Sequence, residues 1–146
     1  MGYQRQMQFD NDILYILKEI GELKTLKEMD VKKMANENGY ADKLALRLKG
    51  RMKTTQLRRF FSAIKEIDTD LKEKSWEEIE AKFYLLKPKL AYAKGRKLIP
   101  EEFHEVVKIS MNKIDIGETN EKIENYKRFV QFLESIVAYH KFHGGD

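Results

Sequence analysis

The sequence predicts an all-α protein, a single compact domain over residues 1–146 built as a bundle of about five or six helices. Three observations support this. Only two prolines occur, at Pro88 and Pro100, so long helices are uninterrupted. Apolar residues recur mostly at spacings of three and four, with few stretches showing the alternation of a half-buried strand. With 42% hydrophobic and 36% charged residues, the chain is apolar enough to bury a core and carries an unusually charged surface.

Ile13, Leu14, Ile16, Leu17 and Ile20 mark a short first helix that Gly21 ends. Asp30 caps a second helix, broken near Asn38-Gly39, whose continuation Ala41–Lys49 stops at Gly50. Thr54 is the expected N-cap of the clearest helix, in which Leu57, Phe60, Phe61, Ile64, Ile67 and Leu71 form one apolar stripe. Ser75 and Glu78 fit a capping box for the next, with Trp76, Ile79, Phe83, Leu86 and Leu90 on its buried side. Pro88 inside that pattern predicts a kink or a new helix start, and Gly95 the end. Pro100-Glu101-Glu102 opens a helix carrying Phe103, Val106, Val107, Met111 and Ile114, before a break at Ile116-Gly117. The last helix runs from about Thr119 through Tyr126, Phe129, Val130, Leu133, Ile136 and Val137 to near Tyr139, leaving His140–Asp146 as a flexible tail.

Charge is segregated along this chain. Residues 43–65 hold Lys43, Arg47, Lys49, Arg51, Lys53, Arg58, Arg59 and Lys65 with no acid, and residues 82–100 hold Lys82, Lys87, Lys89, Lys94, Arg96 and Lys97 with none either. The net charge of +4 therefore understates the asymmetry: these fourteen cations stand apart from a remainder with fourteen basic residues against 24 acidic ones. Two uncompensated basic blocks in an otherwise acidic chain are the electrostatic footprint expected for a polyanion partner, the alternative being a solvated lysine-rich face. On a helical wheel Arg58 and Lys65 share one flank of the apolar stripe, and Arg59 lies on the other beside Glu66, within reach of an ion pair. Phe60, Phe61, Phe83 and Phe129 sit on apolar stripes, so Tyr84 and Tyr92 remain as the less constrained aromatics. Few stacking groups beside many cations suit a phosphate backbone better than base reading.

Several chemistries find no residues to carry them. There are no cysteines, which excludes disulfides, thiolate metal sites and cysteine nucleophiles. His104-Glu105 begins like a zincin motif, but Lys108 stands where the second histidine is required. His140 and His143 read as surface histidines, and Glu77, Glu78 and Glu80 as acids at a helix start. Phosphate-binding loops and nucleophile elbows are missing from the glycine pattern. We expect no metal, no cofactor and no enzyme activity. Met1–Asp10 lacks the apolar core of a signal peptide, and no run approaches the roughly 18 apolar residues of a membrane span, so the cytoplasm is the expected location.

Residues 53–61, KTTQLRRFF, followed by SAIKEI, resemble the small subunit family of the type III-A CRISPR effector, the Csm complex. The resemblance rests on the Thr54-Thr55 pair, Gln56, Leu57, Arg58 and the Phe60-Phe61 pair. Residues 86–96, LKPKLAYAKGR, and 129–145, FVQFLESIVAYHKFHGG, agree in the same order, while the first 40 residues match nothing identified.

The resemblance implies an all-helical, non-catalytic subunit, several copies of which pack along a crRNA-bound filament close to the target RNA. Lys53, Arg58, Arg59, Lys89 and Arg96 would then face RNA, and the charge pattern adds Lys65, Lys87, Lys94 and Lys97 as nucleic-acid-binding candidates. The implied partners are crRNA and target RNA, the other effector subunits, and further copies of the chain as a dimer or filament neighbours. A stand-alone helical protein that binds nucleic acid without sequence preference, and a structural adaptor for acidic proteins, are the rival readings.

Overall fold

The structure, a computed structural model, describes residues 9–146; the polar stretch up to Gln8 lies outside them. Among the described residues seven α-helices follow one another: α1 (Asn11–Gly21), α2 (Val31–Ala35), α3 (Tyr40–Leu48), α4 (Thr54–Asp70), α5 (Trp76–Gly95), α6 (Glu101–Met111) and α7 (Thr119–Phe142). A 3-10 turn at Leu26–Glu28 joins α1 to α2, and no strand occurs among the described residues. Because α2 is little more than one turn, the bundle has six substantial helices.

Local chemistry accounts for most boundaries. Asp10, not singled out from the sequence, caps α1 by accepting from the Ile13 amide at 3.0 Å. Asp30 caps α2 through the Lys32 amide at 2.8 Å. Gly50, at φ 77°, takes the left-handed conformation that ends the run after α3 at little steric cost. The Ser75–Glu78 capping box opens α5 as expected, and Glu118 with Glu121 forms a second box at α7 that the sequence reading missed. At α4 the expected cap is displaced by one residue. Lys53 occupies the N-cap position without a side-chain bond, and Thr54 is the first helical residue. Helix α5 continues through Pro88 to Gly95, so no new helix begins there.

One core joins all the helices. Helix α7 lies at its centre, against α3 and α4, and the 3-10 turn docks on it. Tyr126, Phe129, Phe132, Leu133 and Ile136 of α7 are fully buried, as are Leu57 and Ile64 of α4 and Phe83 of α5. Burying each such side chain stabilises the fold by about 1.5–3 kcal/mol. Two polar side chains of α7 within this core find partners on other segments. Tyr126 Oη donates to the Ile64 carbonyl at 2.7 Å, and Asn125 Nδ2 to the Ile114 carbonyl at 2.9 Å, while Asn125 Oδ1 accepts the Lys27 amide at 2.8 Å.

The C-terminal segment departs from expectation. Helix α7 extends to Phe142, and His140, read as a surface residue in a fraying tail, is completely buried. Its Nε2 lies 3.0 Å from the Met52 carbonyl, which can only accept, so this nitrogen carries the proton. Its Nδ1 then accepts from the Thr54 hydroxyl at 3.4 Å. Gly144, at φ 87°, turns the chain back, and the Thr54 amide donates to the Asp146 backbone oxygen at 2.7 Å. Just before the turn His143 Nε2 sits 2.5 Å from Asp42 Oδ1. The tail is docked because its partners come from α3 and the start of α4, far away in sequence.

Candidate nucleic-acid interface

Ion pairs formed across the fold reduce the first basic block. Lys43 and Arg47 are matched by Asp12, with Asp10 also on Arg47, and Arg51 by Glu102. Lys65 lies 3.3 Å from Asp68. In the second block Lys82 holds both Glu66 and Asp70 at 2.9 Å, and Lys94 meets Glu101 at 2.8 Å. Glu66 is therefore engaged by Lys82, so the anticipated Arg59–Glu66 pair does not form.

Among the described residues, Lys53, Arg58, Arg59, Lys87, Lys89, Arg96 and Lys97 are exposed and have no carboxylate within ion-pair distance. Two of the nine sequence-derived candidates, Lys65 and Lys94, are thus partly neutralised. The others divide between faces, as helical geometry requires of neighbours about 100° apart. Arg58 and Lys65 flank the side of α4 that meets α7, where Lys65 and Lys127 share a shallow depression. Arg59 lies on the side facing α5. Lys87 leans over the Tyr84 ring, 5.2 Å from its centroid, on the side of α5 towards α6.

The Arg59 side is the most distinctive surface of the molecule. A groove of about 680 Å³ runs between α4, α5 and the segment leading into α6. Phe60, Ala63, Leu90, Ala93, Ile99 and Phe103 form its apolar walls, with Phe60 packed edge-on to Phe103 at 5.7 Å. Arg59 and Lys89 also line it, and no acidic residue does. Tyr92 lines it too and is 63% exposed. Arg96 packs on Tyr92 in turn, its guanidinium 3.1 Å from the phenolic oxygen and 5.7 Å from the ring centroid. Lys97 holds the left-handed turn beyond α5 at φ 61°, donating to the Lys94 carbonyl.

Tyr84, the other aromatic thought to be unconstrained, is committed elsewhere. Its hydroxyl donates to Asp115, and this bond, aided by partial burial, pushes the phenol up to about 12. Lys122 and then Tyr84 hold the Asp115 carboxyl below its usual range in return. Near the groove, the carboxylates of Glu101 and Glu105 gather with His104 so that donor atoms lie within 4.8 Å of one another. Lys94 already engages Glu101, and the start of α6 carries the positive end of the helix dipole, which opposes a cation there. The cluster reads as an ion-pair network.

Two of the stretches that carried the family resemblance, 53–61 and 86–96, form the opposing walls of this groove, and the third closes on Thr54 through His140. Fold and surface together define a small all-α protein with a cation-rimmed apolar groove on one side. The Csm2 Type III-A family profile matches residues 31–146, so the chain belongs to that family, the small subunit of the type III-A Csm complex. It is similar to a Streptococcus thermophilus protein described as "CRISPR system Cms protein Csm2", with 30% identity over 95 residues that cover 63% of this chain and 73% of the relative. No solved structure matches. Residues up to Asp30 lie outside the family match, whereas residues 31–40, in which the sequence reading found no resemblance, fall inside it. No helix among the described residues is long and apolar enough to cross a membrane.

Proposed function

We propose that the protein is a non-catalytic, RNA-facing subunit that holds the crRNA or target strand by its phosphates and packs along the effector filament in the cytoplasm. The observation that carries this reading is the trio Arg59, Lys89 and Arg96. These are exposed cations with no carboxylate partner among the described residues, gathered about one groove by two helices that are consecutive in the chain. Lys53 at the head of α4 and Lys97 beyond α5 are further exposed cations at the neighbouring ends of this antiparallel helix pair. Phosphate contacts of this kind supply affinity without sequence information, which suits a subunit of a complex whose specificity comes from guide pairing. RNA cleavage is assigned to other subunits.

Packing against further copies draws support from Phe142, which is 79% exposed at the end of α7. A large apolar side chain this bare is suited to an interface.

Photo-crosslinking of the subunit within a tagged crRNA-bearing complex, with label on guide or target, tests the reading. Crosslinks are expected at Lys89 and Arg96. In isolation, binding to single-stranded RNA should weaken with salt by a log–log slope of about −0.7 per phosphate contacted. A flat salt response, or crosslinks confined to protein, would overturn it.

A further inference from the structure

Phosphate binding accounts for the rim of the groove and leaves its interior unexplained. The walls are almost wholly apolar and cleft-shaped, an arrangement that contributes nothing to a phosphate. Tyr92 stands at the mouth with Arg96 over the hydroxyl end of its ring and most of its surface bare. Gln56 is the one uncharged amide among the lining residues. An occupant that suits these features has a flat apolar body, few hydrogen-bonding demands and negative charge attached close by. A nucleotide unit of single-stranded RNA meets all three.

The geometry points to the α4/α5 groove as a base-binding subsite, in which unstacked bases of a bound single strand enter and stack on Tyr92. Arg59, Lys89 and Arg96 meanwhile hold the flanking phosphates. This rests on the RNA-facing reading above and adds a stacking component to it. Each base has a π-face and the walls offer almost no donors or acceptors, so the subsite is indifferent to sequence. An acidic protein segment would satisfy the rim charges as well. The exposed Tyr92 ring, with the Arg96 cation held at its hydroxyl end, favours a base, since a bare aromatic beside a cation offers a platform to a flat ring that carries a phosphate.

The test compares a 12-nucleotide single-stranded RNA with a ribose-phosphate strand of the same length lacking bases, bound to the full chain at one salt concentration. Intact RNA should bind about tenfold more tightly, as expected for a single stacked base. Tyr92→Ala should reduce it to the affinity of the abasic strand. Tyr92 is exposed, so its loss leaves the fold intact; Ala93→Phe, which fills the groove and keeps Tyr92, should have the same effect. A strand carrying 2-aminopurine should change its fluorescence on binding the native chain and not either variant. Equal, salt-sensitive binding of both strands would overturn the base subsite and leave the phosphate reading standing. Binding of neither would overturn both. If Ala93→Phe changed sedimentation of the chain and left base preference untouched, the groove would be a protein-docking surface and the proposal would be wrong.

Discussion

The amide of Thr54 donates to the backbone oxygen of Asp146 at 2.7 Å, closing the C-terminal segment onto the first turn of α4. A helix start leaves amides without intrahelical partners, and Lys53 supplies no side-chain cap. The tail does so instead, over the buried ring of His140.

This arrangement depends on a glycine. A Cβ at Gly145 would lie 2.2 Å from the His140 ring, far inside any real contact. Gly145→Val should therefore expel the tail and expose the Thr54 amide, destabilising the protein by about 1–3 kcal/mol. Hydrogen exchange at Thr54 should become fast while amides of α7 around Phe132 stay protected. Unchanged protection at Thr54 would show that the tail does not cap α4.

Acid should release the same segment. Burial opposes ionisation of Asp42, but the Asn38 amide and His143 outweigh it and hold the carboxyl below its reference value of 3.8. A carboxyl with a depressed folded pKa stabilises the fold above its unfolded pKa, and that contribution is lost as pH falls through the folded value. Asp10, held down against burial by the Ile13 amide and Arg47, acts in the same sense, as does Asp115. The urea midpoint should stay level from about pH 7 to 5 and fall below about pH 4. Asp42→Ala should cost about 1–2 kcal/mol at neutral pH and make the acid limb shallower.

Charge reversal at the groove should separate binding from stability. Arg59→Glu with Lys89→Glu should weaken single-stranded RNA binding at least tenfold and reduce the salt slope by about 1.4, the loss of two contacts on a single strand. Stability should change by less than about 0.5 kcal/mol per site, because neither cation is ion-paired in the fold. Arg58→Glu with Lys65→Glu, on the opposite flank of α4, serves as the comparison. If that pair proves the more damaging in binding assays, the α7 side is the RNA surface.

Self-association should depend on Phe142. Replacing it with aspartate leaves the core untouched and should shift sedimentation at high concentration towards monomer. A concentration dependence identical to that of the unmodified chain would remove Phe142 from any interface between copies.

Much of the fold was legible in the chain because helices announce themselves locally. The stripe from Leu57 to Ile67, the Ser75–Glu78 box and the stop at Gly50 each involve residues within a few turns of one another. His140 was misread although the pattern reached it: Ile136 lies one turn before it on the buried face of α7, and continuing that spacing places the imidazole inside. A polar residue on an apolar stripe becomes interpretable only with its partners, here Met52 and Thr54.

By itself the sequence determined the class of fold, the family resemblance and the abundance of cations, since composition, periodicity and motif order are properties of the chain alone. Which cations remain available was decided by the tertiary structure. Lys43, Arg47 and Arg51 lie in an acid-free stretch, yet folding brings Asp10, Asp12 and Glu102 to them, while Arg59, Lys89 and Arg96 meet no acid. Coulomb interactions depend on distance in space and not along the chain, so a run of like charges becomes a surface of like charge only where the packing of helices leaves it unpaired.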